Sequence, residues 1–440
     1  MRKNKMNTLK KTLWVATVAA TVILTACGGG GGDGQGNNSV SWNATPDWVG
    51  NSPGNSGNSN NDGNSAGIKT ESDNTVPIRV DNSMGNLNML SASITVCVPG
   101  QPGRGQCVTV DNMLVDTGST GVRIAASALQ SLNPKLLTQI GALDDTTGAF
   151  PIAECMPFAS GFTWGSVKRA DIKIGSRTAS NIPVQVMGDG AFTTPSDCIA
   201  HGGADYSTAR SLGANGILGI GHGVHDSKNA LTTAIPGNYY YCPSANSCVS
   251  TRVKAEKQVM NPVAAFSADY NGTIIRLPAV PASGQASVTG ELIFGVGTQA
   301  NNALPADANI FTVDTYGFLT THYQGIAFNY SAIDSGTNVY AFADSAIPTT
   351  SDFYTPASAL DLSATIEASA GSGAPLAVPF QIENALNLAA TGNAAFNNVG
   401  ASMSSGRWFL WGLPFFYGRS VYTVIGDSKI GTLTGPFVAF

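Results

Sequence analysis

Charge is scarce in this chain. Only 12% of its 440 residues are Asp, Glu, Lys or Arg, and the net charge is −5. The main body has no basic run able to neutralise phosphates, which argues against a nucleic-acid partner. There is no CxxC pair of the metal-binding kind, and only four histidines. His222, His225 and Asp226 lie in a Gly-rich loop without further ligands nearby, so an exposed loop is expected there and no metal. No cofactor is expected either: GIGHG, from Gly219, is too incomplete for a dinucleotide fingerprint. Helical periodicity is weak and brief, confined to Ala125 to Leu132, Ala341 to Ile347 and Gln381 to Leu388. The apolar run from Leu13 to Ala26 is too short to span a bilayer.

What is present begins with an export signal. Arg2, Lys3, Lys5, Lys10 and Lys11 precede the apolar run, with no acid among them, the layout of a cleaved leader over residues 1–26. Leu24, Thr25, Ala26 and Cys27 resemble a bacterial lipobox. That resemblance implies cleavage before Cys27, acylation of its thiol and a lipid anchor in a membrane. Gly28 stands where an inner-membrane retention signal has Asp, so an outer-membrane or cell-surface location is expected. Residues 27–75 are dominated by Gly, Asn and Ser, too poor in apolar side chains to offset the entropy of ordering, and read as a flexible tether. Trp42 and Trp48 within it read as incidental aromatics.

The remainder is long enough for two lobes, 76–258 and 259–440. Runs such as Val76 to Val80, Ser93 to Val98, Val108 to Val115, Val167 to Ile174, Ile182 to Met187, Gly290 to Phe294 and Val421 to Ile425 are β-branched or alternating. Most are punctuated by Gly, Pro, Asn or Asp, which predicts an all-β fold. Six cysteines remain after Cys27, an even count that favours disulfides in an exported chain. Spacing suggests Cys97 with Cys107 and Cys242 with Cys248, leaving Cys155 with Cys198, although six cysteines allow 15 pairings.

Two short runs carry the functional argument. MLVDTGST holds Asp116, Thr117, Gly118 and Ser119, and AIDSGT holds Asp334, Ser335, Gly336 and Thr337. Each sets a carboxylate behind an apolar stretch, then a hydroxyl, Gly and a second hydroxyl. Two carboxyl groups held close cannot both ionise and share one proton, as in the known pepsin pair. One then serves as acid and the other as base in hydrolysis by an activated water. The glycines let the two loops approach without a Cβ clash. Ser119 and Thr337 can donate to the ionised oxygens, leaving Thr117 and Ser335 to tie the loops together. GxSxG patterns around Ser52 and Ser65 fall in the tether, where no strand and helix can form the strained elbow of a serine hydrolase.

These features resemble the pepsin-like aspartic peptidases, and the resemblance spans most of 76–440. NGILGIG supplies Ile217, Leu218 and Gly219, and FLWGLPFFYG supplies Leu410, Trp411 and Gly412, where that family threads a hydrophobic-hydrophobic-Gly segment beside each Asp loop. NPVAAFS, from Asn261, resembles the strand passing between lobes, and GELIFGVG, from Gly290, an early second-lobe strand. The chain is also similar to a group of bacterial secreted lipoproteins carried as a domain of unknown function.

The resemblance implies a bilobal fold with the cleft between lobes, Asp116 and Asp334 as catalytic residues, a protein or peptide substrate and a monomer. In the segment from Phe158, which resembles the flap hairpin, Phe158 falls where the family has Tyr. Trp164 is then the remaining candidate to supply a donor through its indole N–H. The alternative is a weak or inactive binding module for an exported protein or glycan; the retained aspartates and hydroxyls favour the peptidase. Paired carboxylates also cleave glycosides, but nothing in the composition demands that.

Overall fold

The computed structural model describes residues 73–101, 103–369, 371, 373–404 and 407–440. The expected leader, Cys27, Trp42, Trp48 and nearly all of the expected tether lie outside the described residues. The fold is all-β, as the punctuated strands predicted. Among the described residues, seventeen strands form one hydrogen-bonded sheet system, nine form a second, and a two-stranded ribbon stands apart.

The first system is not confined to the first half of the chain. The strand Thr75–Val80 pairs antiparallel with Val288–Phe294, from Thr75 opposite Ile293 to Val80 opposite Val288. Gly272–Arg276 pairs with Ser420–Val424, which in turn pairs with Phe437–Ala439. The second system lies wholly within the second half, between Leu319–Tyr323 and Trp408–Trp411. Both are built on β-branched and aromatic residues that suit a pleated, half-buried surface. In the second system Phe409 stacks on Phe342 at 4.8 Å and lies 4.7 Å from Trp411, and the Trp411 indole N–H donates to Thr321 Oγ1 at 3.0 Å.

The strand Cys107–Asp116 is half-exposed at its start and buried from Met113 onward. The change comes at a bulge, where two residues, Asp111 and Asn112, oppose Ser93 alone. Asn112 takes a left-handed φ of 54° there, and a bulge re-aims the chain that follows. Beyond it the strand pairs in parallel with Gly216–Ile220, Asp116 opposite Gly219. The bulge thus sends Asp116 into the interior.

Three local expectations are corrected. Residues 341–347 do not form a helix: Tyr340–Phe342 is a strand, paired with Gly400–Ser402 on one side and Trp408–Trp411 on the other. Two flanking strands override a weak local propensity. The segment from Asn261 is a short 3₁₀ turn, Val263–Ala265, rather than a strand; Pro262 cannot donate to a ladder. Helix at 381–388 is displaced to Ala385–Ala390, where Asn384 caps the backbone N–H groups of Leu386 and Asn387, because Leu376–Ile382 continues as strand.

The disulfides are those the spacings suggested: Cys97–Cys107, Cys155–Cys198 and Cys242–Cys248. They suit an extracellular or periplasmic protein. Among the described residues no helix is long and apolar enough to cross a membrane.

Candidate functional site

Each Asp loop sits in the same local frame. The strand Cys107–Asp116 enters the first loop and Thr120–Ala125 leaves it, with Gly216–Ile220 between them, parallel to one and antiparallel to the other. In the second half Ile326–Ile333 enters, Tyr340–Phe342 leaves and Trp408–Trp411 runs between. The hydrophobic-hydrophobic-Gly segments therefore thread beside both loops.

Within each loop the bonding repeats. The Gly118 N–H donates to Asp116 Oδ1 at 2.8 Å, and the Gly336 N–H donates to Asp334 Oδ1 at 2.8 Å. Ser119 Oγ donates to Asp116 Oδ2, and Thr337 Oγ1 donates to Asp334 Oδ2 at 2.7 Å.

Between the loops the bonding is reciprocal. The Thr117 N–H donates to Ser335 Oγ at 3.1 Å, and the Ser335 N–H donates to Thr117 Oγ1 at 3.0 Å. Each hydroxyl then donates across to the opposite entering strand, Thr117 to the Ile333 carbonyl at 3.1 Å and Ser335 to the Val115 carbonyl at 2.8 Å. All four groups are buried, so every one of these bonds replaces water that cannot reach them.

The glycines fix how near the loops come. A Cβ on Gly118 would lie 2.5 Å from Asp334 Cγ, and one on Gly336 would lie 2.5 Å from Asp116 Oδ1. Both carboxyl groups are fully buried, and they border one spot: the same Cβ on Gly336 would lie 3.2 Å from Asp334 Oδ1. Burial pushes the Asp334 carboxyl well above the ordinary carboxylate range, and the Asp116 charge pushes it further. The Thr337 hydroxyl and the Gly336 N–H pull the other way.

Thr117 and Gly118 also line a small recess together with His222, His225, Asp226 and Tyr316. The His222–Asp226 loop is therefore not the exposed loop expected from its glycines. His222 Nδ1 bonds the Val424 carbonyl at 2.8 Å, and burial pushes the imidazoles of both His222 and His225 down. Among the described residues no group of three His, Cys, Asp or Glu side chains is arranged to hold a metal ion.

The hairpin Ile152–Phe158 and Gly161–Ile174 holds the two remaining candidates. Phe158 is buried in a cluster with Met89, Met156, Tyr206 and Leu212. Trp164 is buried too: its ring meets Tyr240 edge-on at 5.4 Å, and its indole N–H donates to the Phe192 carbonyl at 3.0 Å. That donor is committed to holding the hairpin, which corrects the expectation that it could replace a missing phenol.

One constellation escaped the sequence reading. Arg123 is fully buried on the strand leaving the first loop, and its Nη2 donates to Glu154 Oε1 at 2.7 Å and to Asp226 Oδ2 at 2.8 Å. Tyr239 Oη donates to Asp226 Oδ1 at 2.7 Å and accepts from the Val259 N–H. The signal was there: a lone charge between Val122 and Ile124, and a lone acid in the apolar run IAECMPF.

Among solved structures the chain is similar to an aspartic proteinase from Irpex lacteus, at 15% identity and a TM-score of 0.44, over 83% of this chain and 96% of that one. No curated protein matches it. Residues 70–440 match the family described as protein of unknown function (DUF3443), and the chain belongs to that family.

Proposed function

We propose that the protein is an exported aspartic endopeptidase, tethered to an outer membrane or cell surface through an acylated Cys27, with Asp116 and Asp334 as its catalytic pair. One observation carries the reading: two copies of one carboxylate loop, locked by a reciprocal hydroxyl grip, bring their buried carboxyl groups together around Gly118 and Gly336. A fold that needed only stability would gain little from a buried pair of acids, which costs desolvation and repulsion.

In this mechanism Asp334 keeps the shared proton and Asp116 acts as the base. Asp116 takes a proton from a water seated between the carboxyl groups, and the oxygen attacks the peptide carbonyl. Asp334 donates its proton to the carbonyl oxygen as charge develops there. The resulting gem-diol collapses as Asp116 passes its proton to the departing nitrogen and a diol hydroxyl returns a proton to Asp334, breaking the C–N bond and restoring the pair. No covalent intermediate forms on the enzyme.

A second reading is a pepsin-like module that binds an exported protein or glycan without cutting it. It is favoured by the flap hairpin, where Phe158 brings no hydroxyl and the Trp164 donor is engaged elsewhere. The test is incubation of the purified protein with a mixed peptide library across pH, with and without a statine-type inhibitor. Inhibitor-sensitive cleavage is expected from wild type and none from Asp116→Asn or Asp334→Asn, with circular dichroism of both variants unchanged. Cleavage that survives in both variants discredits the pair, and no cleavage by wild type at any pH favours the binder.

A further inference from the structure

The mechanism makes no use of the buried ions beside the site. Arg123, Glu154 and Asp226 have no exposed side-chain surface, yet they come from three separate pieces of chain. Arg123 lies on Thr120–Ala125, which leaves the Asp116 loop, and its Nη1 donates to the Thr120 carbonyl at 2.8 Å. Glu154 belongs to the first strand of the β-hairpin, opposite Tyr239 and Gly165. Asp226 belongs to the loop that walls the recess beside Thr117 and Gly118.

One guanidinium nitrogen meets both carboxylates, at 2.7 and 2.8 Å. With both acids ionised the cluster would carry one uncompensated negative charge in a dry interior, an arrangement that proteins avoid by holding a proton. Burial and the Glu154 charge push the Asp226 carboxyl well up, consistent with Asp226 keeping that proton. Tyr239 adds a neutral donor, and the Asp226 N–H donates to the Val259 carbonyl at 3.2 Å, pinning the wall from its other side.

We propose that Arg123, Glu154 and Asp226 form a neutral one-proton clasp, whose members are positioning residues that hold the hairpin and the recess wall at a fixed distance from the Asp116 loop. As a device for seating a peptide the clasp rests on the peptidase reading; as a structural coupling it stands without it.

Three variants of the full chain test it: Glu154→Gln, Asp226→Asn and the double. Each single variant leaves one carboxylate facing Arg123, and its melting temperature should stay within about 3 °C of wild type. The double strips the guanidinium of any counter-charge and should melt about 5 to 10 °C lower. Adding Arg123→Met to the double removes the stranded cation and should recover most of that loss.

Hydrogen exchange should rise roughly tenfold in the double variant at amides 154–166 and 222–226, while strand 326–333 keeps wild-type protection. With a peptide that wild type cleaves, the double should raise KM several-fold with much less effect on kcat. Singles as damaging as the double, or a triple that recovers nothing, overturn the shared proton. Exchange that rises evenly through both halves, or kcat falling at constant KM, overturns the positioning role. The exchange and melting measurements need no substrate, so a wild type that cleaves nothing counts against the peptidase reading alone.

Discussion

Asp334 shows how far a side chain can be moved by its address. Burial and the Asp116 carboxylate both disfavour its charged form, and they outweigh the two hydrogen bonds that favour it. Its folded pKa is therefore above the unfolded value of about 4. The linkage sign follows: stability from this group is fully present below the unfolded value and is lost as pH rises through the folded one. Asp144, held low chiefly by the Arg252 hydrogen bonds, acts in the opposite sense, contributing above the unfolded value and fading as pH falls. Denaturant titrations across pH should isolate the first effect. Asp334→Asn should gain stability relative to wild type as pH rises above about 4. A difference that does not change with pH would mean that Asp334 titrates normally. On the peptidase reading, turnover by wild type needs one proton on the pair and should peak at acid to mildly acid pH.

At the scale of elements, the paired Asp loops are a matter of clearance. The loops can share hydrogen bonds only because no Cβ stands between Gly118 and Asp334 or between Gly336 and Asp116. Gly118→Ala must therefore push the carboxyl groups apart or displace the loop. Overpacking of this kind costs about 1–3 kcal/mol, and a displacement near 1 Å at reacting groups costs on the order of 10²-fold in rate. Peptide turnover together with thermal melting checks both figures, and wild-type kinetics in Gly118→Ala would mean that the loops lie further apart. The loops were legible in the sequence because their chemistry is local: carboxylate, hydroxyl and glycine sit within four residues of each other in each copy. The strand at Tyr340–Phe342 was not, because Ala341 and Ala343 suit a helix and only the neighbours at Gly400–Ser402 and Trp408–Trp411 decide otherwise. The Arg123 clasp was hidden for a related reason. Its partners are 31 and 103 residues away, so the sequence displays three unrelated charges.

Over the whole molecule, the two halves are also fastened by Asn88. Its side-chain amide donates to the Asn338 and Phe396 carbonyls, both at 2.8 Å, while its oxygen accepts from the Phe396 N–H at 2.8 Å and from Tyr417 Oη at 2.9 Å. The residue is buried and holds a left-handed φ of 48°. Asn88→Ala strands several buried polar groups and adds left-handed strain, so a loss of about 3 kcal/mol or more is expected. Asn88→Gly should recover only the strain, about 1 kcal/mol. Urea unfolding of the three proteins decides this, and equal stability of Ala and wild type would mean that the amide is not a fastening point.

Composition and short-range pattern by themselves pointed to the all-β class, the twin acidic loops and the two local cysteine pairs, Cys97–Cys107 and Cys242–Cys248, because each depends on residues that are neighbours in the chain or separated by one loop. Tertiary structure alone decided that the two acids meet, that the hairpin's aromatic side chains are packed inward, and that a lone arginine gathers two distant carboxylates. Those outcomes depend on which buried groups find partners once water is excluded, and distance along the chain carries no record of that.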